Sequence, residues 1–198
     1  MDLKKLFHSK KFYIAVLIFV CGLSLNQIVS SLLMTKYGEK GLPVLHDLVL
    51  DNIPYLPIMW LYDLFAILGV LAIIGYSRKK GFKYIPYFLV LFGLSQIVRG
   101  CFIALTPFGS PNGSEIGLFT GSAFRSGVYP SGHTATVFLT FLLTSGWWKV
   151  ISFMITLGTI LTLLLGRGHY SIDILSGLIF AYAIFMYGEK KLKEKFTI

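Results

Sequence analysis

Six apolar stretches, at roughly 12–34, 56–76, 84–106, 133–148, 150–166 and 169–187, dominate this chain. A helix needs ~20 residues to cross a bilayer, and these stretches come close to that or exceed it. Of the 198 residues, 55% are apolar and only 14% are charged, too little charge for a soluble domain. The pattern predicts an all-α fold: one domain over residues 1–198, a bundle of six transmembrane helices with both termini cytoplasmic. The fourth and fifth stretches share a tight break at Ser145-Gly146-Trp147-Trp148-Lys149. The first is too long for a cleaved signal and lacks a small-residue cleavage site, so it reads as a retained helix.

The formal net charge is +9, which invites a nucleic-acid reading. Position argues against it. Lys4, Lys5, Lys10, Lys11, Arg78, Lys79, Lys80, Lys83, Lys149, Lys190, Lys191, Lys193 and Lys195 all fall on the side of the termini, 13 of the 18 cations. That is the positive-inside asymmetry, and it points these clusters at anionic lipid headgroups of the cytoplasmic face. No basic face is interleaved with exposed aromatics, so no nucleic-acid partner is expected. Cys21 and Cys101 lie within apolar stretches, where thiols usually serve as small buried fillers.

Polar residues interrupt the spans at informative places. Ser24, Asn26, Gln27, Ser30 and Ser31 occupy the outer half of the first span and predict contacts with other helices. Between Thr35 and Pro54, apolar and acidic residues alternate at near-helical spacing, with Asp47 and Asp51 four apart. This predicts a short interfacial helix, either a lid or a surface helix with a solvated acidic side. Asp63 and Arg99 each sit about two turns below the outer surface, and a buried acid needs a partner, so each is the other's candidate. From Thr106 to Pro130 runs a segment with three prolines, five glycines and two charges, Glu115 and Arg125, placed to cover a pocket.

Two polar clusters carry the chemistry. Pro130-Ser131-Gly132-His133 opens the fourth span, with Ser131 as N-cap and Gly132 leaving room for a ligand at the backbone. Helix N-terminal amides suit a phosphate. His169 and Asp173 open the sixth span and share one helix face, so the carboxylate can fix the imidazole tautomer and free its other nitrogen to attack. An out-and-back path returns both histidines to one face of the membrane. Arg99, Arg125 and Arg167 can approach them there, and guanidinium groups match phosphate oxygens. Two histidines, an orienting carboxylate and several arginines make up a metal-free phosphoryl-transfer site. The outer side lacks the carboxylate cluster that magnesium or calcium would want, so no cofactor is expected. The same buried groups, Asp63, Arg99, His133, His169 and Asp173, could instead mark a transport or proton-relay path, or the two histidines a haem slot.

The clusters resemble the type 2 phosphatidic acid phosphatase superfamily, whose second signature is Pro-Ser-Gly-His and whose third ends His-x-x-x-Asp. His-Tyr-Ser-Ile-Asp at 169–173, Ser-Gly-His-Thr at 131–134 and Arg99 eight residues before Pro107 are similar to its sphingomyelin synthase-like branch. The resemblance implies a membrane-embedded lipid phosphoester hydrolase or phosphotransferase working through a phosphohistidine. By position it implies His169 as nucleophile, Asp173 as its orienting partner, His133 as acid and Arg99 as phosphate binder. Ser131, Gly132, Arg125, Arg167 and Asp63 complete the expected substrate site, and a membrane lipid is the expected substrate. Leu163 stands where the phosphatases carry an arginine six before the histidine, and Gly127 where sphingomyelin synthases carry an acid.

Overall fold

The computed structural model describes residues 3–38, 42–111 and 128–198. Its elements are α1 (Leu3–Phe7), α2 (Lys10–Tyr37), α3 (Met59–Lys80), α4 (Ile85–Leu105), α5 (Gly132–Leu143), α6 (Trp147–Leu165), α7 (Ser171–Lys191) and α8 (Lys193–Phe196), with one-turn 3-10 helices at Leu50–Asn52 and Phe82–Tyr84. No strand forms among the described residues. The chain folds as the all-α helical assembly that its apolar stretches predict.

Five of these helices are long and apolar enough to span a membrane, where six were expected. The exception is the fourth, because α5 has 12 residues and covers ~18 Å. Gly146 takes φ 59°, a conformation side chains rarely tolerate, and turns the chain after Thr144 and Ser145. Trp147 and Trp148, read from the sequence as the end of the fourth span, therefore begin α6.

The short helix sits centrally, against α3, α4, α6 and α7. Val137 and Leu139 on it are wholly buried, whereas Leu17, Leu71, Met154 and Ile179 on the longer helices face outward. Apolar side chains outside and a packed interior suit a helical assembly solvated by lipid. α2 lies along α4, and the approach is close because glycine meets glycine. A Cβ on Gly22 would come within 2.5 Å of the Gly93 carbonyl oxygen. Cys21 and Cys101 are exposed on the outward faces rather than packed as fillers. Of the polar residues in α2, Asn26 and Ser30 are buried as expected, but Ser24 and Gln27 are exposed.

The basic clusters converge at one end of the bundle. Lys11 donates to the Thr197 carbonyl, the Ile198 amide donates to the Lys83 carbonyl, and Lys80 and Lys193 line one cavity of about 300 Å³ with Tyr84, Tyr87 and Glu189. Leu142 to Ser145, the far end of α5, also line that cavity. Helix α5 ends at the level of the lysines and is shorter than the helices around it, so its N-terminus is recessed within the bundle.

The segment before α3 is not the expected amphipathic helix. It is irregular apart from the single turn at Leu50–Asn52. The Asp47 carboxylate accepts from the amides of Val49 and Leu50 at 2.9 and 3.2 Å. A short acidic side chain that bonds its own backbone in this way competes with helix formation. Asp47 is buried, not solvated, whereas Asp51 is exposed and faces the exposed His46 at 3.8 Å.

Candidate active site

Ser131 caps α5 as its residue type predicts, accepting from the Thr134 amide at 3.2 Å. Its own amide, expected to face a phosphate, donates instead to the Asp173 carbonyl at 3.0 Å. That bond ties the start of α5 to the start of α7. Gly177 completes the join, since a Cβ there would lie 2.8 Å from the Ser131 carbonyl oxygen. With both helix starts held together, the His133 and His169 ring centroids are 5.9 Å apart. The convergence expected from two distant motifs is present.

The two histidines are held differently. His169 is 5% exposed, and its Nδ1 donates to Asp173 Oδ2 at 3.2 Å. The same oxygen accepts from the Tyr170 amide at 2.9 Å, so Asp173 caps its own helix and orients the ring at once. Nε2 of His169 is the nitrogen not bonded to Asp173.

His133 faces α3. Its Nε2 donates to Asp63 Oδ1 at 3.3 Å, and Tyr62 packs edge-on against the ring with centroids 5.3 Å apart. The sequence pairs Asp63 with Arg99, and the structure corrects this. Arg99 donates from Nη1 to Asn26 Oδ1 at 2.7 Å and from Nε to the Pro130 carbonyl at 3.0 Å. The Asn26 amide group in turn donates to the Gly22 and Gln96 carbonyls. The physical reason is rotational: equal depth in two helices does not put two side chains on facing surfaces. Gly132 also differs from expectation, because the space above its Cα is filled by Arg99, whose Nε would be 3.0 Å from a Cβ.

Arg167 adopts φ 51° and extends toward the segment before α3, with its guanidinium 5.9 Å from the Tyr55 ring and Nη2 3.5 Å from the Leu50 carbonyl. Arg125 and most of the 106–130 segment lie outside the described residues. Three supports escaped sequence reading. Asn26 positions Arg99, Tyr62 braces His133, and Asp47 accepts from the Ser171 amide at 2.6 Å to fasten the segment before α3 onto α7. Tyr170 adds to that fastening, accepting from the Leu45 amide at 3.0 Å. A signal existed for Asn26 and Asp47, polar residues at depths or spacings that ask for partners. None existed for Tyr62.

The site thus couples an oriented imidazole to a second imidazole on a separate carboxylate, beside a half-buried guanidinium. Residues 129–190 match the family model described as PAP2 superfamily C-terminal. The match supports the PAP2 superfamily. It takes in both histidine clusters and Asp173, and stops short of Asn26, Asp63 and Arg99. No curated protein matches the chain.

Proposed function

We propose that the protein is a membrane-embedded lipid phosphate phosphatase that works through a phosphohistidine, without a metal. The observation that carries this reading is the pair of imidazoles 5.9 Å apart, each bonded to a buried carboxylate, with a guanidinium held beside the helix bearing one of them. His169 Nε2 attacks phosphorus and the P–O bond to the lipid breaks. His133, entering protonated, gives its proton to the departing oxygen. Arg99 stabilises charge on the non-bridging oxygens. Water then attacks the phosphohistidine, His133 takes the water's proton, and phosphate leaves with His169 restored.

The site is proposed to open on the extracytoplasmic face, because the lysine-rich end is the opposite one and such ends stay cytoplasmic. A sphingomyelin synthase-like headgroup transferase would share the first half-reaction, with an acceptor hydroxyl replacing water. Purified protein offered phosphatidate, a polyprenyl pyrophosphate and phospholipids, with phosphate and lipid products both followed, separates these outcomes. Release of inorganic phosphate is expected, and undiminished turnover by His169→Ala would sink the mechanism.

A further inference from the structure

The buried carboxylate of Asp63 has no place in the reaction as written above, yet it is the one acid on α3. It is 1% exposed. A lone carboxylate at such depth is costly and persists where something requires it. The ordinary explanation, a structural ion pair with arginine or lysine, fails here: among the described residues the only ion-pair partner of Asp63 is His133. The bond spans 70 positions of sequence, so helix packing builds it. Gly69, further along α3, lets that helix press against α5, since a Cβ there would meet Val137 Cγ1 at 3.0 Å. Tyr62 grips the same imidazole from the adjacent position.

We infer that Asp63 is the positioning residue that makes His133 the acid of the reaction, and that the proton it transfers resides on Nδ1. This rests on the phosphatase reading above. With Nε2–H committed to Asp63 Oδ1, only Nδ1 can face a substrate. The arrangement mirrors His169 with the nitrogens exchanged: there Nδ1 is committed and Nε2 reacts. In the first half-reaction the Nδ1–H bond breaks as the O–H bond of the lipid alcohol forms and the P–O bond cleaves. His133 becomes neutral with Nε2–H still on Asp63. In the second, water's oxygen bonds to phosphorus as the P–N bond to His169 cleaves, and one O–H bond of that water breaks toward Nδ1, which restores the imidazolium beside the carboxylate. The bond to Asp63 holds the ring in place, so Nδ1 is aimed the same way at each return.

This pairing discriminates between leaving groups. An alkoxide needs a proton to depart, and a nitrophenolate does not. Asp63→Asn, assayed on the full chain in detergent–lipid micelles, should lower kcat/KM for phosphatidate on the order of 10²-fold while lowering that for p-nitrophenyl phosphate by less than about 5-fold. Equal losses on both esters would mean that Asp63 only supports the fold, and the proposal would be overturned. A second arm does not depend on turnover. In the chain labelled with 15N-histidine, the His133 signals, assigned by their loss in His133→Gln, should show a proton fixed on Nε2. In Asp63→Asn they should move toward tautomer-averaged values. Ring signals that ignore the substitution would also overturn it. If the unmodified chain hydrolyses neither ester, the phosphatase reading falls, and the NMR arm alone decides the pairing.

Discussion

Two histidine–carboxylate pairs lie side by side in this bundle, and they are built in opposite ways. His169 and Asp173 are four residues apart where α7 begins, His169 just before the Tyr170 N-cap and Asp173 in the first turn, so the start of a single helix makes their contact. His133 and Asp63 belong to different helices, and their contact exists only if α3 and α5 pack in one rotation and one register. The local pair is also the more buried, with Asp173 wholly enclosed and serving as a cap, while the His133 side chain keeps 22% exposure. The difference fits the proposed roles. The rigid pair suits the nucleophile, which must present one nitrogen in one direction. The partly open pair suits a group that exchanges protons with a leaving alcohol and then with water.

The sharpest break of this contrast is at the local pair. His169→Ala should cut turnover by on the order of 10⁴-fold or more, with helical content by circular dichroism unchanged. Next comes the distant pair, where His133→Ala should cost on the order of 10²–10⁴-fold on phosphatidate. Adding Asp63→Asn to it should cost little more, because two residues acting as a unit are not additive. A product of the separate losses in the double variant would mean the pair does not work as one.

Gly177→Ala tests whether packing alone maintains the distant pair. Its Cβ would press on the Ser131 carbonyl at 2.8 Å, and we expect a loss of about 1–3 kcal/mol in thermal unfolding. The His133 signals should broaden while those of His169 persist. The smallest effect expected is at Asp47. Burial raises its pKa, but hydrogen bonds from Ser171, Leu50 and Val49 more than offset this and hold the carboxyl below its ordinary value. A depressed carboxylate stabilises the fold above its unfolded value and loses that contribution as pH falls through the folded one. Asp47→Asn should therefore cost about 1–2 kcal/mol near neutrality, a difference that fades in urea titrations repeated below the ordinary carboxylate range.

Legibility from sequence followed the same division. The helical class, the Ser131 cap and the His169–Asp173 contact are readable because each depends on neighbours close in sequence, although His169 precedes the Tyr170 N-cap and does not share a helix face with Asp173 as expected. The short α5 was misread because apolar composition runs on through Trp147 and Trp148, while the stop resides in the backbone of Gly146. Asp63 was noticed for its depth but given the wrong partner. Depth along a helix can be counted from sequence, whereas the direction a side chain faces depends on how the helix is rotated against its neighbours.

By itself, the sequence determined the membrane-helical class, the one-sided distribution of lysines and the nearness of His169 to Asp173, all consequences of composition and short spacing along the chain. Only the tertiary structure decided that Arg99 leans on Asn26 and Pro130, that Gly132 makes room for that arginine, and that Asp63 serves His133. Those contacts arise from close packing between helices far apart in the chain, where shape complementarity at a few glycines sets the rotation that no local pattern encodes.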